Sequence, residues 1–289
     1  MIYSPPSRQT IGLIGLGRMG LPISKRLLRK GFEVIAFDIS SQRCQLALES
    51  HIHVAESLSD ITALCETILV CVLGHEAVLD VVRALENDRG GRKCGGVLID
   101  LSTTDIKHTQ QMSQRLRSGT GMGWVDAPVS GGPSKAARGA LAVMAGGSEI
   151  DLESSRSILE SLSKHIVHMG PTGSGQAAKM VNQLLALSNY CLLAEALELA
   201  RTAGLDLSLL PKALKGGHAD SVLLHDVFPG MVNHNYGNAS RIGQMADDLT
   251  SIIKFAEDEG IGLPVASQVH QLYEQAIHEG YEDLAGPAL

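Results

Sequence analysis

Six residues near the N-terminus have a spacing that suits the binding of phosphate groups. They follow a short apolar run that predicts a strand, and they precede residues with helical spacing. Glycine at the first place permits a tight turn, glycine at the third lets the backbone approach a pyrophosphate, and glycine at the sixth lets the helix pack on the strand. Free N–H groups at the helix start would attract the phosphates. We therefore predict that a dinucleotide binds at Gly15, Leu16, Gly17, Arg18, Met19 and Gly20.

An acidic residue, Asp38, follows the next predicted strand, Glu33–Phe37. A carboxylate at this place can accept hydrogen bonds from both ribose hydroxyls of NAD, and it would repel the 2′-phosphate of NADP. The sequence therefore predicts NAD as the cofactor, with NADP less favoured, although Arg43 lies one helical turn further on and could alter the preference. The alternative interpretation is that the glycines form an ordinary turn and Asp38 caps the following helix.

Lys179 is a charged residue within a largely apolar segment of helical spacing. Asn182 follows three residues later, so both side chains would lie on one face of a helix. A buried ammonium group is costly without a partner, and desolvation beside a positively charged nicotinamide would lower the pKa of Lys179. Such a lysine can act as a general base toward a hydroxyl proton. From the spacing alone, a lysine that extends to solvent from the helix start is an equally good interpretation.

Alternating strand and helix patterns cover the first two-thirds of the chain and would position these groups. Continuous apolar runs, such as residues 68–73, predict strands that are covered on both faces. After Gly175 the strand patterns stop, and residues 176–203 predict one long helix without glycine or proline. We therefore predict an α/β N-terminal Rossmann domain at residues 1–172 and an all-α C-terminal domain at residues 173–289, joined by the long helix.

Four further helices are predicted in the C-terminal part. The apolar spacing assigns them to residues 207–214, 221–232, 248–259 and 265–279. Proline at position 264 suits the first turn of the last helix, and glycine at positions 260 and 280 suits helix ends.

The composition limits the classes of function. Acidic residues outnumber basic ones by 31 to 24, and no block of Lys and Arg occurs, so binding to nucleic acid is not expected. No apolar run is long enough to cross a membrane, the first ten residues have no signal-peptide core, and a cytoplasmic location is expected. The histidines have no regular metal-ligand spacing. The odd number of cysteines, without a CxxC pair, predicts free thiols at Cys44, Cys65, Cys71, Cys94 and Cys191.

Four motifs, in sequence order, resemble those of the β-hydroxyacid dehydrogenase family, which includes 3-hydroxyisobutyrate dehydrogenase, tartronate semialdehyde reductase and, more distantly, 6-phosphogluconate dehydrogenase. The first is the glycine segment within residues 11–22. The second, Asp-Leu-Ser-Thr-Thr at 100–104, is similar to the family's strand end, and the third, Asp-Ala-Pro-Val-Ser-Gly-Gly at 126–132, to its substrate loop. The fourth is the glycine-rich turn 170–175 followed by Lys179 and Asn182.

The resemblance implies a role for each matching residue. Lys179 would be the catalytic acid/base, and Asn182 would orient the substrate hydroxyl. Ser130, Gly131 and Gly132 would hold the substrate carboxylate through a hydroxyl and backbone N–H groups. The implied reaction is NAD(P)-dependent transfer of a hydride to or from the alcohol carbon of a small 3-hydroxy acid.

Two loops at strand ends complete the implied cofactor site. Thr103 would contact the nicotinamide side of the cofactor, and Leu73 would lie in a loop that passes it. Gly74 stands where the family usually has proline.

The C-terminal match departs from the family pattern. Asp247 stands where the family often has a lysine near the cofactor, and Ser240 and Gln244 stand where a phenylalanine and a leucine are common, with Arg241 between them. We therefore expect a more polar pocket than that of the familiar members, and a substrate other than a plain branched aliphatic acid.

Two other functions stay open at this point. An imine reductase of this fold would use NADPH but would usually lack the lysine, and a non-catalytic scaffold of the same fold would also have lost it. Lys179 and the intact substrate loop argue against both. The expected partners are a small hydroxy acid and further copies of the chain, as a homodimer or homotetramer, since a long apolar helix disfavours a monomer.

Overall fold

The strands of the computed structural model form a single sheet of nine within the described residues, 9–87, 96–236 and 240–288. They are β1 (Thr10–Ile14), β2 (Glu33–Phe37), β3 (His53–Val54), β4 (Thr67–Val70), β5 (Val97–Asp100), β6 (Gly123–Asp126), β7 (Val129–Ser130), β8 (Leu141–Gly147) and β9 (Ser163–Gly170). Their order is β3-β2-β1-β4-β5-β6-β8-β7, and β9 pairs with β8.

The first six strands are parallel to one another. The strand order reverses between β1 and β4, so the loops that follow these strands open on the crevice where such folds bind ligands. This confirms the predicted Rossmann-like sheet. The sequence did not predict that β8 runs antiparallel to β6 and β7. Strand β7 has only two residues and lies within a glycine-rich loop, so no apolar run marks it in the sequence.

Seven helices, which cover both faces of the sheet, lie in the first part of the chain as described. They are α1 (Gly20–Arg29), α2 (Ser41–Leu48), α3 (Leu58–Leu64), α4 (Gly74–Asn87), α5 (Ile106–Thr120), α6 (Gly132–Arg138) and α7 (Glu149–Leu162). Alternate residues of a strand enter separate cores, because successive side chains point to opposite faces. Leu98, for example, packs in the cluster around Trp124, and Ile99 packs in the cluster around Leu27.

The chain divides into two compact units, Met1–Lys179 and Met180–Leu289. The second unit is helical, as the sequence predicts. Helix α8 begins in the first unit and continues into the second. The helices described in this part of the chain are α8 (Ser174–Thr202), α9 (Leu210–Ala213), α10 (Val222–Asp226), α11 (Phe228–Val232), α12 (Ile242–Asp258) and α13 (Pro264–His278). Tyr273 is fully buried in the core of this unit, and its hydroxyl donates a hydrogen bond to the Leu187 carbonyl over 3.3 Å.

Two helices of this unit differ from the sequence-based expectation. The predicted helix at 221–232 is broken at Val227 into α10 and α11, because Pro229 in the first turn of α11 has no N–H to continue the helix. Helix α12 begins six residues before the predicted position 248. The buried side chains of Ile242 and Met245 show that its apolar face starts before Asp247 and Asp248.

Three further expectations concern cysteines, metals and membranes. Cys44, Cys65, Cys71 and Cys191 are free thiols, and Cys94 lies outside the described residues. Throughout the described ranges, no cluster of three or more His, Cys, Asp or Glu side chains has the arrangement needed to hold a metal ion. None of the described helices is both long and apolar enough to cross a membrane.

Candidate active site

The glycine turn between β1 and α1 is packed too closely for larger residues at two positions. Gly15 has φ +98°, and a Cβ built on it would lie 2.3 Å from the carbonyl oxygen of Cys71. A Cβ on Gly20 would lie 1.7 Å from the carbonyl oxygen of Gly15. Both distances are far shorter than a van der Waals contact, so the turn can form only with glycine at these two places.

The middle of the same turn is open. The atom nearest to a Cβ built on Gly17 is the Arg43 guanidinium, 3.9 Å away. Arg18 is exposed, and Met19, the N-cap of α1, makes no side-chain capping hydrogen bond. The helix start therefore has N–H groups without a side-chain cap beside an open glycine, which is the arrangement that a pyrophosphate needs.

Asp38 joins the end of β2 to the glycine turn. Its Oδ2 accepts a hydrogen bond from the Leu16 backbone N–H over 2.7 Å, and its Oδ1 accepts one from the Ser40 N–H over 2.8 Å. The carboxylate is nearly buried, and the Arg43 guanidinium lies 3.5 Å from Oδ2. Each carboxylate oxygen has a second acceptor site for a ribose hydroxyl, while Arg43 brings a positive charge to the same place.

The loops after β4 and β5 are tied together. The Val72 N–H donates to the Ser102 hydroxyl oxygen over 3.1 Å, and the Ser102 N–H donates to Asp100 Oδ1 over 2.9 Å. Leu73 is 74% exposed, although it is a large apolar residue, and Thr103 is also exposed. The two residues that the family resemblance assigns to the cofactor therefore present their side chains at the same edge of the sheet.

Lys179 lies on α8 and is 7% exposed. Its ammonium group donates a hydrogen bond to the carbonyl oxygen of Val129 over 3.0 Å, so the side chain does not extend to solvent. Val129 directly precedes Ser130, Gly131 and Gly132, and the two glycines have φ values of +129° and +73°. Successive backbone N–H groups in such conformations form a concave nest for an anion. The ammonium group is thus held beside a loop that suits a carboxylate.

Asn182 follows Lys179 by one turn of α8 and is half-buried. Its Nδ2 donates to Gln183 Oε1 over 3.0 Å, and Gln183 in turn donates to Asp248 of α12 over 2.5 Å. The Asn182 side chain is therefore oriented by a bonded pair within the second unit.

The polar segment before and within α12 is on the surface of the second unit. Ser240, Gln244 and Asp247 are all exposed. Gln244 and Asp247 are three residues apart on α12 and share one side of the helix, and Ser240 precedes the helix. Arg241 makes an ion pair with Asp283 over 2.8 Å, so its charge is directed toward the C-terminal segment.

Sequence reasoning missed two buried residues that organise this site. Asp126, at the end of β6, accepts hydrogen bonds from the Gly173 N–H over 2.9 Å and from the Gln176 N–H over 3.1 Å. The Gln176 side chain donates to the Ser102 carbonyl over 2.9 Å and accepts from the Thr104 N–H over 3.1 Å. An acidic residue at a strand end was the available signal for Asp126. No local signal marks Gln176, because its partners are more than seventy positions away.

Two carboxyl groups at this edge have raised pKa values. Burial raises the pKa of Asp100 to about 7, in opposition to its hydrogen bonds with Ser102, and the charge of Asp126 raises it further. Asp100 Oδ2 is buried without a hydrogen-bond partner among the described residues. Burial also raises the pKa of Asp126, although backbone N–H groups stabilise its charge. Burial and the charge of Asp100 raise the pKa of Cys71 to about 12, which disfavours the thiolate form.

Comparisons with known proteins extend over both units. Residues 10–170 match the family model described as the NAD binding domain of 6-phosphogluconate dehydrogenase. Residues 173–288 match the model described as the NAD-binding domain of NADP-dependent 3-hydroxyisobutyrate dehydrogenase.

Individual relatives align along nearly the whole chain. The mitochondrial 3-hydroxyisobutyrate dehydrogenase of Mus musculus is 30% identical over 285 residues, which cover 96% of this chain and 85% of the relative. The 2-(hydroxymethyl)glutarate dehydrogenase of Eubacterium barkeri is 28% identical over 278 residues, covering 95% and 92%. The structure of Mycobacterium tuberculosis 3-hydroxyisobutyrate dehydrogenase with L-serine has a TM-score of 0.85 and 27% identity, and the match covers 97% of each chain.

The turn contains a glycine without space for a side chain, Gly20, and an open glycine, Gly17, so substitutions at the two positions can be compared directly. We expect Gly20→Ala to destabilise the protein by several kcal/mol or to prevent folding, because its Cβ would overlap the Gly15 carbonyl oxygen. We expect Gly17→Ala to change the free energy of unfolding by less than about 1 kcal/mol and to weaken dinucleotide binding about tenfold or more, because the methyl group enters the open side of the turn. Urea unfolding and titration with NAD(H) measure the two effects. A Gly17→Ala variant with unchanged dinucleotide affinity would contradict the assignment.

Proposed function

The chain belongs to the β-hydroxyacid dehydrogenase family, and from that membership we propose that Lys179 is the acid/base in its NAD(P)-dependent reaction. As a member of this family the chain is an oxidoreductase that acts on a CH–OH group, which sets aside a non-catalytic scaffold. The observation that carries the proposal is the hydrogen bond from the Lys179 ammonium to the Val129 carbonyl, next to the loop at Ser130.

The proposed roles follow from the chemistry of each group. When bound, the nicotinamide supplies the acceptor or donor of the hydride. In the direction of alcohol oxidation, neutral Lys179 takes the proton of the hydroxyl oxygen as the hydride leaves the carbon that bears this hydroxyl. In reduction its ammonium returns a proton to the carbonyl oxygen. The Ser130 hydroxyl and the backbone N–H groups of Gly131 and Gly132 bind the carboxylate, and Asn182 orients the reacting hydroxyl.

The cofactor is proposed to occupy the first part of the chain. The glycine turn, residues 15–20, would hold the pyrophosphate, Asp38 the adenosine ribose, and Leu73 and Thr103 the nicotinamide end. In the domain arrangement that we propose, residues 1–172 bind the cofactor, and residues 173–289 complete the substrate site and form the contacts between subunits.

Removal of the Lys179 amine should separate chemistry from binding. We expect Lys179→Ala to lower kcat by roughly 10²-fold or more, with NAD(H) affinity nearly unchanged. Steady-state kinetics and NADH fluorescence titration measure the two quantities. Lys164→Ala, which removes an exposed lysine of β9, is the control and should keep both values. Full turnover by Lys179→Ala on the correct substrate would remove this residue from the mechanism.

We propose that NAD is preferred over NADP, because the nearly buried Asp38 carboxylate would face the 2′-phosphate of NADP. The match to a model named for an NADP-dependent enzyme and the nearby Arg43 are the points against it.

A neutral amide at this position tests the preference directly. Asp38→Asn removes the negative charge and retains one acceptor oxygen, so only one of the two backbone donors, Leu16 N–H or Ser40 N–H, keeps its hydrogen bond. We expect the ratio of kcat/KM for NAD to that for NADP to fall about tenfold or more, because like-charge juxtaposition costs several kcal/mol. Arg43→Ala should move the ratio the other way. A wild-type protein that already prefers NADP in paired assays would overturn this reading of Asp38.

The exposed polar side chains of Ser240, Gln244 and Asp247 support a polar substrate. Apolar walls favour a branched aliphatic acid by about 0.8 kcal/mol per buried CH₂, and polar side chains give less of that stabilisation while needing partners of their own. We therefore propose a hydroxylated or amino-bearing 3-hydroxy acid. Two relatives are consistent with this class, since one is named for a dicarboxylic hydroxy acid and another is described with L-serine.

A panel of acids with both cofactors tests the substrate class and the activity together. We expect serine or L-threonate to exceed 3-hydroxyisobutyrate in kcat/KM with NAD, and the methyl ester of each acid to lose most activity because the anion nest loses its charge partner. A clear preference for 3-hydroxyisobutyrate would contradict the polar-pocket argument and leave the dehydrogenase assignment intact.

Further copies of the chain are the proposed macromolecular partners. Four apolar residues on α8 are exposed, and their spacing of four and seven residues puts them on one stripe of the helix: Val181, Leu185, Leu192 and Leu199. A homodimer or homotetramer would cover this stripe. Sedimentation of the purified chain measures the state directly, and a monomer at micromolar concentration would refute the proposal.

A further inference from the structure

The side-chain amide of Gln176, three residues before Lys179, makes two hydrogen bonds and has no role in the proposed reaction. It is 2% exposed, and both of its ends are used. The nitrogen donates to the carbonyl oxygen of Ser102 over 2.9 Å, and the oxygen accepts from the backbone N–H of Thr104 over 3.1 Å. The amide therefore forms hydrogen bonds with the peptide groups on either side of Thr103, whose own side chain is exposed.

The backbone of Gln176 is fixed as firmly as its side chain. Its N–H donates to Asp126 Oδ2, and the Gly173 N–H donates to the other carboxylate oxygen, so the first turn of α8 is attached to the end of β6. Lys179 follows three residues later, about 4.5 Å further along the helix axis. The Lys179 ammonium is bonded to Val129, at the start of the substrate loop.

We infer that Gln176 is a positioning residue that sets the distance between the Thr103 loop and the Lys179 ammonium. This rests on the proposed function, in which Thr103 adjoins the nicotinamide and Lys179 exchanges the proton. Hydride and proton transfer require two alignments at once, and a shift of about 1 Å in either can lower the rate about 10²-fold. The first turn of α8 fixes both alignments, because the Gln176 side chain bonds to the Thr103 loop and Lys179 follows on the same helix.

The bonds of Gln176 extend to the second cofactor loop. Ser102, whose carbonyl accepts from the amide, also accepts a hydrogen bond from the Val72 N–H through its hydroxyl oxygen. Val72 precedes Leu73. A change at position 176 is therefore expected to affect both loops that would border the nicotinamide. The glycine turn and Asp38, which would hold the rest of the cofactor, have other hydrogen-bond partners.

Gln176→Glu is the sharpest variant, because it replaces one NH₂ group by oxygen with almost no change of shape. The carboxylate can still accept from the Thr104 N–H, but it cannot donate to the Ser102 carbonyl. When protonated it can donate again, and burial raises the pKa of a carboxyl group toward the assay range. Asp126 and Asp100 at the neighbouring strand ends would raise it further, and Lys179 on the same helix would lower it.

The hydride step should be measured in the direction of reduction, by single turnover, and expressed at each pH as a ratio to wild type. We expect the ratio for Gln176→Glu to be about 0.01 to 0.1 at about pH 8 and to rise several-fold by about pH 6, while the KM for NADH stays within about threefold of wild type. Because a carboxylate at position 176 and Lys179 would shift each other's titration, the ratio for Gln176→Ala, which adds no charge, is the baseline for this comparison.

Gln176→Ala and Ser161→Ala complete the set. Gln176→Ala loses both bonds, so its rate should be low and its ratio to wild type independent of pH; it also serves if Gln176→Glu does not fold. Ser161→Ala removes a buried hydroxyl that donates to the Ile158 carbonyl in α7, and it should lower the unfolding free energy without altering the hydride step.

Two results would overturn the inference. One is a folded Gln176→Glu or Gln176→Ala variant with a wild-type hydride step, and the other is a Gln176→Glu rate that stays low with no recovery in acid. Lys179→Ala in the same assay distinguishes the two proposals. If Lys179→Ala retains turnover, the proposed function fails, whereas an inactive Lys179→Ala beside a normal Gln176→Glu refutes only the role of Gln176.

Discussion

The buried carboxylate of Asp126 and the first turn of α8 depend on each other. A carboxylate without contact to water is costly, and here two backbone N–H groups at a helix start, those of Gly173 and Gln176, offset part of that cost. In return the carboxylate accepts two donors that a helix cannot satisfy internally. The loop at Ser130, the loop at Thr103 and the ammonium of Lys179 are all positioned relative to this turn, so the candidate site depends on one ionic cap.

The parts of this site that the sequence predicts are those set by local geometry. Gly15 and Gly20 could be assigned because a strand, a tight turn and a helix leave no room for a side chain there, and the short distances in the structure have that cause. Lys179 could be predicted as a functional residue because a buried charge in an apolar helix is costly without a partner. Gln176 could not, because an amide in the first turn of a helix is ordinary until the chain brings Ser102 and Thr104 to it.

The same distinction explains the errors in the fold. The parallel strands β2 and β4 were predicted within a few residues from their apolar runs, whereas β3 has only two residues and was not predicted. Helix α12 was predicted to start at residue 248, six residues too late, although Ile242 and Met245 already belong to its buried face. In the structure Asp248 is bonded to Gln183, and Asp247 is exposed on the polar side of a helix already formed.

The buried carboxyl of Asp100, whose Oδ2 has no hydrogen-bond partner among the described residues, couples folding to proton uptake. Its pKa is raised from 3.8 to about 7, so between these values the folded chain holds a proton that the unfolded chain has released. The free energy of unfolding therefore decreases at this site as the pH rises through that interval, and above it the fold bears the cost of a buried anion. Thermal unfolding in weakly acidic solution releases that proton to the buffer, and the measured enthalpy includes the heat of buffer protonation in proportion.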